Sequence, residues 1–168
     1  IGTGVRLPAH PLGTDYLGRD ILARIIHGAR TSLFIGIVAP LLFVLAGLLY
    51  GGLSGYLGGR IDNAMMRLAD FVVALPFLLF MILFKVAFGI RPGESGVMPM
   101  LLAMVLLGWP ASARLVRGQV LAIRNGPYVQ AARLMGAGTP YLILRHMVPN
   151  VLGVLLVTLS FAIPSAIF

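Results

Sequence analysis

The sequence is short of the side chains on which most soluble proteins depend. It contains no cysteine, which excludes a disulfide framework and a thiolate metal site. Only 11% of its residues are charged, whereas about 25% are charged in a typical soluble domain. Hydrophobic residues make up 59% of the chain and the mean hydropathy is +0.98. This composition predicts an all-α integral membrane protein.

The motifs of nucleotide hydrolysis and of common catalytic sites are also missing. The sequence has no G-x-x-x-x-G-K-[ST] phosphate loop, and no Ser/His/Asp set or carboxylate pair stands out. We therefore predict no catalytic residues, no metal and no cofactor in this chain. A metal site at His10, Asp15, Asp20 and His27 is the alternative. We favour structural roles instead, with Thr14 or Asp15 as a helix cap and Asp20 paired with Arg24.

Acidic residues are scarce, and the basic residues are almost all arginine. Thirteen Lys and Arg residues against five Asp and Glu give a formal charge of +8. Nucleic-acid binding is disfavoured, because the aromatic residues lie mostly in apolar runs rather than among the arginines. Residues 114–145 hold five arginines and no acid, so the positive-inside rule places this loop in the cytoplasm. Alternation then places 60–70 inside, and 89–96 and the N-terminal segment outside.

Long apolar runs predict about four membrane spans in two regions of the chain. Residues 1–30 are interpreted as an external segment with an interfacial helix, and 31–168 as the transmembrane domain. The spans are predicted at about 33–50, 71–88, 97–113 and 147–168, with a cytoplasmic loop at about 114–146. Pro76 interrupts the second span. We expect the chain to be part of a longer subunit that has further spans.

Glycines recur every four residues at the end of the first span. Gly47, Gly51 and Gly55 would form a smooth stripe on a helix, against which another helix can pack closely. The alternative is that the later glycines form a loop, and Gly58 with Gly59 fits that interpretation. We predict helix packing for the first three.

The stretch 124–150, RNGPYVQAARLMGAGTPYLILRHMVPN, has strong helix boundaries. Pro127 suits the first position of a helix, because its missing N–H would be unpaired there in any case. Gly136 and Gly138 can close the helix in the left-handed conformation. Thr139 before Pro140 is typical of a second N-cap. The stretch therefore predicts a helix, a glycine break and another helix.

The first of these helices is amphipathic. We predict one apolar face made of Tyr128, Ala131, Ala132 and Met135. Gln130 and Arg133 face the other way. Such a face suits docking into a groove of another protein, or alternatively resting on lipid headgroups. The residue pattern alone leaves both open.

This stretch resembles the "EAA" loop of ABC-importer permeases, E-A-A-x-x-x-G-x9-I-x-L-P. Gln130, Ala131, Ala132 and Gly136 occupy the E, A, A and G positions without a gap, and Pro149 occupies the last. Gln replaces Glu at the first position, and His146 and Val148 replace Ile and Leu. The resemblance implies a coupling helix at 127–136 that docks on a cytoplasmic ATPase subunit. Its implied coupling residues are Tyr128, Gln130, Ala131, Ala132, Arg133, Met135 and Gly136.

Two further strings resemble the C-type permease of peptide and nickel ABC importers. They are H-x-L-G-T-D-x-x-G-R-D from His10 to Asp20 and G-Y-x-G-G-x-x-D-x-x-x-M-R-x-x-D from Gly55 to Asp70. The resemblance implies a type I ABC-importer transmembrane domain in a prokaryotic inner membrane. Its implied partners are a second permease subunit, two ATPase subunits that bind ATP and Mg, and an external substrate-binding protein.

Other functions remain alternatives at this point. Peptides, nickel and glutathione all fit the family pattern as substrates. A stand-alone channel or membrane scaffold would need ionisable residues facing a pore, and within the predicted spans only Lys85 is a candidate. Lysines near span ends usually reach to the interface, so a permease is favoured.

Overall fold

The regular elements are helical throughout the residues that the computed structural model describes, 10–89 and 96–167. The chain divides into two compact units, Ile1–Phe34 and Ile35–Phe168. The helices are α1 (Ile21–Leu57), α2 (Gly59–Val73), α3 (Phe77–Ala87), α4 (Val97–Ile123), α5 (Pro127–Leu134), α6 (Thr139–Leu142) and α7 (Val148–Ile167), with a π-helical turn (Ile143–Met147) joining α6 to α7. Most of the predicted external turn at 89–96 lies outside the described residues.

The first unit contains a tight turn that leads into α1. Asp20 is the cap of this helix, since its carboxylate accepts the N–H of Leu22 at 2.9 Å. Our prediction of Thr14 or Asp15 as the cap was therefore wrong. Asp15 instead accepts the N–H of Arg19, and this hydrogen bond, the largest of several influences, lowers the pKa of Asp15 to about 2. Arg24 pairs with Asp15 at 2.5 Å rather than with Asp20.

Three helical segments are long and apolar enough to cross a membrane. They are Ile21–Leu57, Val97–Ile123 and Thr139–Ile167, whose most apolar 18-residue stretches have mean hydropathies of 2.6, 1.5 and 2.0. A fourth is present if α2 and α3 are counted together. The predicted number of about four spans is confirmed. The predicted interfacial helix and first span form one helix, α1, and the third predicted span continues without interruption to Ile123.

The glycine stripe lies against α4. A Cβ on Gly47 would lie 2.5 Å from the Ser112 Cβ, and one on Gly55 would lie 2.9 Å from the Arg117 carbonyl oxygen. A Cβ on Gly51 would overlap the Ala113 carbonyl oxygen. Residue numbers increase together along both helices, so α1 and α4 run parallel in the second unit.

The predicted second span is broken rather than continuous. α2 and α3 meet at an angle of 77°, because Pro76 cannot donate a helical hydrogen bond and takes an extended conformation before α3. The eleven residues of α3 would reach only about 16 Å. Since α1 and α4 are parallel, the bent pair returns the chain from the end of α1 to the start of α4.

The core of the second unit joins α1 and α4 to the segment that follows α4. Its buried residues come from α1, α4, α5, α6, the π-helical turn and α7, and are Val44, Val116, Val120, Val129, Ala132, Leu142, Met147, Val151 and Leu155. At the opposite end of α7, Ile167 lies over Gly36 of α1. Helix α7 therefore runs antiparallel to α1, and α5 lies at the end where α1 and α4 finish.

Candidate functional site

Helix α5 is defined by its flanking residues much as the sequence predicts. Gly126 precedes it in an extended conformation and Pro127 is its first residue. Gly136, just beyond its end, has φ 85°, which a residue with a Cβ adopts only with strain. The prediction for Thr139 was wrong: Gly138 is the capping residue of α6 and has an ordinary φ of −71°, and Thr139 is already helical.

The predicted apolar face of α5 is divided between two environments. Ala132 is only 5% exposed and packs with Val129 into the core of the second unit. Ala131 and Met135, by contrast, face away from the core, and Met135 is 81% exposed. The sequence interpretation overlooked Val129, whose larger apolar side chain turns its own side of the helix inward. Tyr128, Ala132 and Met135 nevertheless line one common groove, as a shared face requires, whereas Ala131 does not.

The outward side of α5 is nevertheless apolar. Leu134, which the prediction omitted, is 90% exposed, and Tyr128 is 44% exposed. A short groove of about 570 Å³ lies between α5 and the start of the following helix, and it is lined by Tyr128 but not by Leu134. We call this region the α5 surface, and its residues are Tyr128, Ala131, Leu134, Met135, Gly136 and Tyr141.

His146 lies inside the groove of the α5 surface. Its ring centroid is 6.1 Å from that of Tyr128 and 5.6 Å from that of Tyr141. This residue occupies the Ile position of the resembled motif, and its imidazole here fills space between two aromatic rings. The three rings hold α5 and the π-helical turn together on the outward side, as the core does on the inward side.

The two polar residues of the predicted opposite face have partners within the chain. The Gln130 side-chain amide donates to the Asn125 carbonyl oxygen at 2.9 Å and so closes the loop before α5. Arg133 places its guanidinium carbon 5.6 Å from the centroid of the Tyr56 ring, a cation–π distance. Arg133 therefore contacts the end of α1.

A buried ion pair that sequence reasoning missed ties α1, α2 and α4 together. Asp62 of α2 is 4% exposed. Its carboxylate accepts two bonds from the Arg117 guanidinium, at 2.5 and 2.6 Å, and one from the Ser54 hydroxyl at 2.5 Å. Arg117 and Asp62 are 55 positions apart, so local spacing carried no signal for this pair.

Two more arginines of the basic loop are engaged at the same end of the bundle. Arg114 pairs with Asp70 at 2.5 Å. Arg124 donates to the Gly55 carbonyl oxygen at 3.2 Å, where a cation favours the C-terminal end of α1. The arginines that predicted a cytoplasmic loop therefore also join α4 to α1 and α2.

The alternative metal site is not supported by the geometry. Among residues 10–89 and 96–167, no three His, Asp or Glu side chains gather closely enough to hold a metal ion. His10 Nδ1 lies 3.4 Å from Asp20, while Asp15 is engaged by two arginines. These carboxylates serve as a cap and as ion-pair partners.

Comparison with known proteins decides the family. Residues 45–168 match the family described as "Binding-protein-dependent transport system inner membrane component". The chain belongs to this family of inner-membrane permeases. Its architecture is accordingly that of a type I ABC-importer transmembrane domain, and the chain is a multi-pass inner-membrane protein, as predicted.

Individual permeases of this family are similar over most of the chain. The oligopeptide transport system permease protein OppC of Bacillus subtilis (strain 168) is 46% identical over 95% of this chain and 50% of its own length. The dipeptide permease protein DppC of the same organism is 45% identical over 95% and 48%. OppC of Escherichia coli (strain K12) is 42% identical over 94% and 51%. The chain thus spans about half the length of the curated relatives it matches.

Proposed function

We propose that this chain is the permease subunit of an ATP-driven importer and couples to a cytoplasmic ATPase through the α5 surface. The observation that carries this proposal is the exposure of Leu134 and Met135 at the arginine-rich end of the bundle. Residues of this size are costly to leave in water together, and clustered exposure marks a docking site. Lipid would cover the spans but not a surface in the cytoplasm.

The α5 surface has the form that docking requires. The inward side of α5 is fixed to the core through Val129 and Ala132. A partner that binds the outward side is therefore connected to the helix bundle as well. An amphipathic helix laid into a hydrophobic groove is a common recognition mode. The ATPase subunits bind ATP and Mg, while this chain itself is non-catalytic.

Peptides are the proposed cargo. The relatives just described are named for oligopeptide and dipeptide transport, whereas nickel and glutathione have no such support here. The proposed assembly contains this subunit, a second permease subunit, two ATPase subunits and an external substrate-binding protein. The two permease subunits form the translocation path between them.

The test introduces bulk on the outward side of α5. Ala131→Trp should lift a docked ATPase away without entering the core, because Ala131 is exposed. Substrate-stimulated ATP hydrolysis and peptide uptake in reconstituted vesicles should both fall about tenfold, a common size for coupling between sites. Ala64→Trp, on an exposed face of α2, is the matched control and should leave both rates unchanged.

Ala132 is unsuitable for this test, because a tryptophan there would disrupt the chain's own core. Leu134→Asp is the second variant, since it removes apolar contact area without adding bulk. If both Ala131→Trp and Leu134→Asp transport at the normal rate, the α5 surface is not the ATPase site and the proposal is wrong.

A further inference from the structure

Tyr56 lies in the last turn of α1 and connects that helix to the α5–α6 segment by two separate contacts. The Arg133 guanidinium of α5 stands over the face of its ring, at 5.6 Å from the centroid. The Thr139 hydroxyl of α6 donates to its phenolic oxygen at 3.3 Å. The ring itself packs against the core and is half-buried.

These contacts matter because α1 has no short covalent connection to α5. The loop from Arg124 to Gly126 leads directly from α4 into α5, and α6 continues into α7. Helix α1, by contrast, is about 70 residues away in sequence, so movement of α5 reaches it through packing and side-chain contacts. The ring face of Tyr56 contacts α5, and its phenolic oxygen contacts α6.

We propose that Tyr56 is a positioning residue that transmits displacement of α5 to α1 during transport. This inference rests on the proposed function, in which ATP-driven movement of a partner displaces α5. Parallel packing of α1 along α4 through the glycine stripe would then carry the displacement along the spans. Arg133, which sequence analysis placed opposite the apolar face, acts with Tyr56.

The two contacts can be removed separately. Tyr56→Phe keeps the ring beneath the Arg133 guanidinium and removes only the hydrogen bond from Thr139. Tyr56→Ala removes both contacts, and Arg133→Ala removes the cation alone. Leu57→Ala is the control, since Leu57 is the exposed neighbour of Tyr56 at the end of the same helix.

The measurement is the number of peptides taken up per ATP hydrolysed, by the full importer in vesicles. Tyr56→Ala should lower this ratio about tenfold, while ATP hydrolysis continues and the subunits stay assembled. Tyr56→Phe should lower it less, and Leu57→Ala not at all. Adding Arg133→Ala to Tyr56→Ala should lower it no further than Tyr56→Ala does alone, because the cation–π contact is already lost.

An unchanged ratio in Tyr56→Ala, with normal assembly, overturns the inference. If Tyr56→Ala assembles poorly, the exposed Arg133→Ala variant decides: an unchanged ratio there overturns it as well. A normal ratio in these variants alongside a defective Ala131→Trp refutes only the role of Tyr56. Normal transport in Ala131→Trp and Leu134→Asp refutes the proposed function itself.

Discussion

Replacing Gly51 by alanine tests the close packing of α1 on α4. A Cβ at this position would overlap the Ala113 carbonyl oxygen and lie 2.9 Å from the carbonyl carbon. Both are backbone atoms, so no rotamer change can relieve the clash, and the two helices must separate. Gly51→Leu would demand a still larger separation.

The expected loss of stability in Gly51→Ala follows from two opposing effects. Overpacking at a rigid contact typically costs about 1–3 kcal/mol. Alanine in place of glycine inside a helix returns about 0.5–1 kcal/mol, because it restricts the unfolded chain. We therefore expect Gly51→Ala to destabilise the subunit by about 1 kcal/mol, the difference between the midpoints of these two ranges.

Gly52 is a matched control on the same turn of α1. A Cβ there would meet nothing within 4 Å, so Gly52→Ala should gain the helix preference without a clash. The assay is thermal unfolding of the purified complex in detergent, in which the fraction that stays monodisperse is measured as the temperature rises. Gly51→Ala should unfold at a lower temperature than wild type, and Gly52→Ala at the same or a higher one. Equal unfolding temperatures for the two variants would refute the packing argument.

Two further predictions concern the end of the bundle near α5. Asp62→Ala leaves the Arg117 charge partly buried without its partner and should destabilise the subunit by about 3–5 kcal/mol. The same thermal assay measures this effect. If the double variant Asp62→Ala with Arg117→Met is no more stable than Asp62→Ala alone, the ion pair is not the cause. The added methyl group of Gly136→Ala meets open space, but the residue must hold φ 85°, so this variant should lose about 1 kcal/mol of stability. Gly138→Ala is the control, since Gly138 has an ordinary φ, and it should be neutral. Equal unfolding temperatures for the two variants would show that the left-handed cap is unimportant.

The sequence alone determined the features that depend on local chemistry. Apolar runs of sufficient length can be stable only as membrane helices, which predicted about four spans and the all-α class. Pro127 and the glycine at 136 marked the limits of α5 because each has a backbone restriction or freedom that other residues lack. The four-residue glycine period showed that α1 carries a face suited to close packing.

Only the tertiary structure revealed the contacts between residues that are distant in the sequence and the direction in which each side chain points. It showed that α4 is the helix on the glycine stripe, and that Ala132 points into the core while Leu134 points outward. Local periodicity could not separate these two, since apolar residues occur on more than one side of so short a helix. The partnerships of Asp62 with Arg117 and of Arg133 with Tyr56 join residues more than 50 positions apart. Such contacts form only when the helices pack, and no local pattern of residues records them.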